Sequence, residues 1–423
     1  MKIKLKISSK PLSDLFTIIL FVFVIFTPDI KFLPKLTWIL SVIGALTLFN
    51  NRFRKSVGFN SRLNEQFIIM LFFSIMILSM PPFIHGTGDV SYINLLIGII
   101  LTLFRNYLLI YLLYKQYKED LFVKFCDFFI YACIVCVAFT ILFIIFPEFK
   151  TFWLNSVLNN VTEYTYYKYE FRYSISGPAA FTYTSIFSIA AIVSGYMIIY
   201  ENKLSFKRVA EFIIISIGCS FYGRTALIGV LLSLFIIIFS KGYWMKTLKI
   251  ILFISITAIL LNSLLNFLSS QNENFAVWRN WAFDILNQIF IDKNVTDYSV
   301  THLFNDMYFK LDLKTLFIGD GYYTDPTTGR YYMSTDSGYM RLLLYSGIIG
   351  LLTAFSIPLY LFKIIKKFSS RFNSVLLFMV LLIIWLVLEI KGEMYHRIIM
   401  MIYPMFLTLQ YDYNKNKTIN NTN

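Results

Sequence analysis

Arg105, Arg224 and Arg341 each interrupt a run of apolar residues, and Asp336 and Glu389 stand at the edges of two such runs. An arginine at the centre of a membrane helix costs about 2.5–3.5 kcal/mol on insertion scales, and less near an end where it can reach water. Charges in such places need a reason. Arginine's planar fork holds two phosphate oxygens at once and stays charged when partly desolvated. A neighbouring carboxylate can take the proton of an attacking hydroxyl. Arg172, Arg224, Arg279, Arg330, Arg341, Lys391 and Arg397, gathered at one face, would suit a diphosphate, with Asp336 first and Glu389 second as general base. In Glu389-Ile-Lys-Gly-Glu-Met-Tyr-His-Arg397, a solvated turn explains Lys391 and Glu393. It explains Glu389 and Arg397 less well, because apolar residues flank both. Arg105 lies deeper, and two readings stay open for it: inward snorkelling or pairing within the bundle.

The elements that must position these residues are membrane helices. The chain has 423 residues, 57% hydrophobic and 15% charged, which is too apolar for a soluble fold to cover. Apolar runs fall near 12–27, 33–49, 64–83, 92–114, 124–146, 179–199, 250–268, 339–362, 374–390 and 394–410. Each approaches the length that a bilayer core requires. The basic start of the chain resembles a signal peptide but lacks a small-x-small cleavage site, so it is read as a retained first span. With the N-terminus in the cytoplasm, most lysines and arginines fall in short inner loops, as the positive-inside rule requires.

The stretch 209–239 has basic flanks on both sides and is interrupted by Gly218, Ser220 and Gly223. It is expected to form a short helical hairpin with Arg224 at its outer turn. One long tilted helix would invert everything downstream and is rejected. The whole chain, 1–423, is then one all-α polytopic membrane domain of about 12 transmembrane helices with both termini cytoplasmic. Its large outer loops are 147–178 and 269–337, and the second carries an amphipathic stretch around Arg279. Gly347 and Gly350 are expected to let their helix pack closely on a neighbour.

Other chemistries lack their residues. Cys126, Cys133, Cys136 and Cys219 sit in apolar runs without metal or redox spacing, and His85, His302 and His396 have no ligand spacing. No Asp-x-Asp occurs in a loop. Gly319-Asp-Gly321 lacks the lysine and hydroxyl of a phosphate-binding P-loop and reads as a turn. The net charge of +14 is accounted for by inner loops rather than by nucleic acid. Neither a metal nor a cofactor is expected.

Four stretches, in order along the chain, resemble the O-antigen polymerase (Wzy-type) family, related to the O-antigen ligases. "FRYSISGPAAFTYTSIF" (171–187) is similar to that family's arginine–glycine–proline approach to a span. "CSFYGRTALIGVLL" (219–232) is similar to its small-residue–arginine–threonine turn. "IGDGYYTDPTTGRYYMSTDSGYMRLLLYSGIIGLL" (318–352) is similar to the end of its large periplasmic loop, with Tyr339 as the tyrosine before the helix. "LEIKGEMYHR" (388–397) is similar to its late acid-x-lysine turn.

The resemblance implies a C-type glycosyltransferase fold in a bacterial inner membrane. It implies transfer of a growing glycan from undecaprenyl diphosphate onto a lipid-linked repeat unit at the periplasmic face. Donor and acceptor are both lipid-linked oligosaccharides, membrane lipid surrounds the site, and a chain-length regulator protein is an expected partner. In this reading Arg224 acts with Asp336 and Glu389 in catalysis, while Arg172, Arg341, Arg279, Lys391, Arg397 and Tyr339 bind substrate. Ligases carry His-Asn where this chain has Asp336-Ser337, which favours polymerisation over ligation. A flippase of lipid-linked oligosaccharide is the alternative from another class. The absence of a visible repeat and the charge at one face weigh against it.

Overall fold

Apolar runs in a bilayer can satisfy their backbone hydrogen bonds only within themselves or in a closed barrel, and here they form helices. The computed structural model describes residues 10–33, 35–159, 170–178, 181–201, 205–239, 263, 266, 267, 269, 270, 273–287, 298–368 and 372–422. About 80% of the structure is helical, with no barrel among the described residues.

The first helices are α1 (Lys10–Phe26), α2 (Leu36–Thr47), α3 (Asn51–Ser56), α4 (Arg62–Ser79), α5 (Pro81–Ile84), α6 (Ser91–Gln116), α7 (Leu121–Ile145) and α8 (Pro147–Phe152). A two-stranded antiparallel ribbon follows, β1 (Tyr173–Ser174) and β2 (Gly177–Pro178), with Tyr173 opposite Pro178. Then come α9 (Phe181–Tyr200), α10 (Phe206–Tyr222), a single 3-10 turn (Arg224–Ala226) and α11 (Leu227–Phe239). The later part has α12 (Glu273–Asn287), α13 (Tyr298–Asp306), α14 (Leu313–Ile318), α15 (Gly338–Ile365), α16 (Phe372–Glu389) and α17 (Tyr395–Thr422).

Among the described residues five helices are long and apolar enough to cross a membrane: Arg62–Ile84, Ser91–Gln116, Leu121–Ile145, Phe181–Tyr200 and Gly338–Ile365. Pro11–Phe26, Leu36–Thr47, Arg224–Phe239 and Ser374–Glu389 are shorter apolar helices. This is the architecture of an all-α membrane protein. The span expected at 250–268 lies almost wholly outside the described residues, as do 160–169 of the first large loop and 271–272 and 288–297 of the second. Phe72 and Phe73 of α4, Leu231 and Phe235 of α11, and Ile349 and Leu352 of α15 point outward. On a soluble protein they would form a large sticky patch, whereas hydrocarbon accepts them at no cost.

At the centre stands α9, with 94% of its apolar stretch buried. Its small residues let neighbours approach closely. A Cβ at Gly229 of α11 would come within 2.5 Å of the Ser188 carbonyl, so that residue must be glycine for α11 to lie against α9. At the far end of the bundle Arg208 is buried against Asp127 (2.7 Å), Glu201 (2.5 Å) and Glu211 (2.8 Å). This tie joins α7, the end of α9 and α10. Asp412 of α17 accepts the first N–H groups of α7, from Leu121 at 2.9 Å and Phe122 at 3.0 Å. Arg105 does not snorkel. It is buried on α6 and donates to Thr102 of its own helix.

Gly347 of α15 does different work from that expected of it. Gly347 leaves the helix (φ 65°, ψ −167°), a conformation open essentially to glycine alone. The approach there is by α14, because a Cβ at Gly347 would lie 2.3 Å from the Phe317 carbonyl. A Cβ at Gly350 would run into Ser346 of the same helix at 1.8 Å and would stand 3.4 Å from Leu78 of α4, an ordinary packing distance. The break at Gly347 frees two carbonyls, and Leu344 and Tyr345 accept from Asp320 N–H (2.6 Å) and Gly321 N–H (3.1 Å). The Gly319–Gly321 turn is thereby docked into the kink.

Beyond that turn the loop is clamped by Asp89, which accepts the N–H groups of Tyr323 and Thr324 at 2.7 Å each. Burial raises the Asp89 pKa, but hydrogen bonds from Ser91, Thr324 and Tyr323 outweigh it, so the net shift is downward. These contacts fix where Tyr323 and Tyr331 stand.

Candidate functional site

Arg341 lies one turn inside α15, behind the Ser337 N-cap. The Ser337 hydroxyl accepts from Met340 N–H (3.4 Å) and donates to the Tyr308 hydroxyl (2.7 Å). Tyr308 in turn donates to the Ile390 carbonyl at 2.8 Å, joining the large loop to the turn between α16 and α17. The Arg341 guanidinium is held between two aromatic rings, Tyr323 at 4.0 Å and Tyr331 at 3.7 Å. Such stacking favours a partly desolvated guanidinium. Its Nη1 is 3.4 Å from Glu393 Oε2, and Tyr323 donates its hydroxyl to the same carboxylate.

Glu393 is therefore not part of a solvated turn. It is 4% exposed, and the residues that bury it come from the loop and from α15. Burial raises its pKa, but His396, Arg341 and Tyr323 reverse the shift, and the carboxyl lies below its ordinary value. It remains an anion.

The same turn starts α17. Arg397 Nε donates to His396 Nε2 at 3.1 Å, and Arg397 Nη1 donates to Ser185 Oγ at 3.3 Å. His396 Nδ1 faces Glu393 Oε1 at 3.7 Å. Glu389 is fully buried at the end of α16 and accepts the Met394 N–H at 2.9 Å. A Cβ on Gly338 would touch Glu389 Oε1 at 2.4 Å, so the start of α15 is seated on this carboxylate. Its described contacts cap and pack chain ends.

A second group of arginines stands beside α9. Arg172 precedes the β-ribbon, which is tied to α7 by Thr140 Oγ1 donating to the Tyr173 carbonyl (2.7 Å) and Ser174 Oγ donating to the Cys136 carbonyl (3.0 Å). Arg172 Nη2 donates to the Tyr222 carbonyl at 3.4 Å. Arg224 opens the 3-10 turn two residues after Tyr222. Arg172 and Arg224 lie over one indole, that of Trp281 on α12, at 5.8 and 5.5 Å. The neighbouring Trp278 is buried and donates to the Ser220 carbonyl at 3.4 Å, which holds α12 against the end of α10.

The first turn of α9 separates the two groups. Thr184 Oγ1 donates to the Tyr222 carbonyl at 3.2 Å, on the Arg172–Arg224 side. The next residue, Ser185, receives Arg397. Consecutive helix residues point about 100° apart, so this one turn presents a polar side chain to each group. Gly392 completes the seam, since a Cβ there would meet the Phe181 ring at 2.8 Å.

The other candidates fall as follows. Asp336 lies just ahead of α15 and keeps access to solvent. Desolvation raises its pKa above the ordinary value, while Arg341, Lys391 and His302 pull it back. Lys391 is half-buried on the turn. Tyr339 donates to the Leu386 carbonyl of α16 at 3.0 Å, a helix–helix contact. Arg279 lies on α12 next to Trp278, about 100° around from it. Arg330 is exposed at the tip of the loop.

Sequence reasoning missed Tyr323 and gave no role to Glu393 or His396. The signal available for the last two was the Glu-x-x-His-Arg spacing across a helix start. Among the described residues no three His, Cys, Asp or Glu side chains gather as a metal site. No protein-family model matches the chain, and no characterised protein matches it significantly.

Proposed function

We propose that this protein is a polysaccharide polymerase of the O-antigen (Wzy) type. It transfers a growing glycan from undecaprenyl diphosphate onto a lipid-linked repeat unit at the periplasmic face of a bacterial inner membrane. The finer architecture belongs to the same reading: about 12 crossings, both termini cytoplasmic, and a C-type glycosyltransferase fold. The observation that carries it is the setting of Arg341 and Arg397 on one side of the first turn of α9, and Arg172 and Arg224 on the other. An enzyme acting on a lipid diphosphate needs cations at the end of its spans, in low-dielectric surroundings where each is worth most.

In the reaction the acceptor hydroxyl attacks the anomeric carbon of the donor sugar. The carbon–oxygen bond to the diphosphate breaks, and the hydroxyl proton passes to the Asp336 carboxylate. Undecaprenyl diphosphate leaves with its new charge on the arginines. A chain-length regulator is the partner expected at the same face.

The test is to replace Arg224 and Arg341 singly by alanine and run surface polysaccharide on a gel. Loss of one charge-stabilising donor costs about 10²–10³ in rate, so the ladder should collapse to a single repeat unit. A full-length ladder from well-expressed variants would remove the diphosphate role. Polymer left on its carrier would point to a ligase, and absence of any repeat unit to a flippase.

A further inference from the structure

Glu393, His396, Arg397 and Arg341 form one row in which each side chain lies against the next. Arg397 Nε–H points at His396 Nε2 (3.1 Å), so that ring nitrogen is the acceptor and carries no proton. The ring proton is then on Nδ1, the atom that faces Glu393 Oε1 at 3.7 Å. The other oxygen, Oε2, takes Arg341 Nη1 at 3.4 Å and the Tyr323 hydroxyl. Each oxygen of one carboxylate thus faces one side of the row: Oε2 meets Arg341, and Oε1 lies toward the imidazole that accepts from Arg397, across a gap longer than a hydrogen bond. Glu389, the other buried acid of this turn, is engaged by the Met394 N–H.

Within the row two guanidiniums share one carboxylate, which leaves an excess positive charge in a buried place. Buried charge without a counter-ion is costly. An anionic ligand would relieve that cost, and Arg341 Nε is a buried donor with no hydrogen-bond partner. An arginine side chain has several rotatable bonds, and nothing in its own helix fixes the direction of its fork. Here Ser185 and His396 fix Arg397, while Tyr323, Tyr331 and Glu393 fix Arg341.

We propose that His396 and Glu393 are positioning residues which couple Arg397 and Arg341 into a single site for the diphosphate of the lipid carrier. The inference rests on the polymerase reading above and adds two residues to it. His396 acts only through Arg397.

The experiment measures two things for each variant: binding of undecaprenyl diphosphate to the purified protein in detergent, and chain extension in cells normalised to membrane expression. His396→Phe keeps the ring shape but removes both nitrogens. It should weaken binding and extension about tenfold, within the usual range for coupled neighbours. His396→Gln retains an acceptor for Arg397 and a donor for Glu393 and should recover most of that loss. In an Arg397→Lys background, which lacks the Nε–H, His396→Phe should cost nothing further.

A fully active His396→Phe protein, or losses that add in the double variant, would overturn the inference. If His396→Phe does not accumulate, His396→Asn replaces it, being too short to reach both partners, with the same expected and overturning results. Failure of the polymerase reading looks different: Arg341→Ala and Arg397→Ala would then bind undecaprenyl diphosphate as tightly as the unaltered protein.

Discussion

Asp336 and Glu393 are both acids near Arg341, yet their surroundings assign them different work. Glu393 is held as an anion by Arg341, His396 and Tyr323, and it is buried away from solvent. Asp336 opens to solvent, and desolvation raises its pKa. A general base acts in its ionised form, so a raised pKa moves the acid limb of the rate upward in pH. The extension rate of the purified protein should therefore fall with acidification at a pH above the ordinary aspartate value of about 3.9, and Asp336→Asn should lose about 10²–10⁴ in rate. A rate flat across the acid range, or a fully active Asn variant, would take the role from Asp336. Sequence alone could name both acids but not separate them. Local hydropathy makes 390–394 look like a turn in water, and the ring that buries Glu393 is 70 residues away in the chain.

The decisive element is the loop between α14 and α15, because it carries Tyr323 and Tyr331 to Arg341. Its docking depends on the kink in α15, where Gly347 adopts a backbone conformation that other residues reach only at about 1–3 kcal/mol. Gly347→Ala should lower the thermal unfolding temperature in detergent and shorten the polysaccharide ladder together, because straightening α15 withdraws the carbonyls that hold Asp320 and Gly321. Gly350→Ala should cost less stability, since its new methyl meets only a serine side chain of its own helix closely and no left-handed backbone is at stake there. Equal effects of the two substitutions would argue against the kink as the anchor. The pair Gly347 and Gly350 was visible in the sequence. Whether a glycine permits close helix packing or a break in the helix was not, because both uses require only the absence of a Cβ.

For the whole molecule the proposed orientation can be tested without knowing the substrate. A green fluorescent protein fused after Asn423 should fluoresce in the cytoplasm, and alkaline phosphatase fused within the loop at Lys310 should be active outside it. The opposite pair of results would invert the topology and move the arginine groups to the cytoplasmic end, away from a periplasmic lipid-linked acceptor. The class of the protein was decided by the sequence itself. A chain that is 57% hydrophobic, with apolar runs of bilayer length, has to satisfy its backbone inside each run, and helices follow from that requirement. Hydropathy is a sum over neighbours in the chain, so it also located the charges that lacked an obvious solvent. Tertiary structure alone decided which of those charges meet. Arg172 joins Arg224 on one indole from α12, and Arg341 joins Arg397 through Glu393 and His396. Such contacts act over a few ångströms between residues far apart in the chain, and only the packing around α9 brings them within that range.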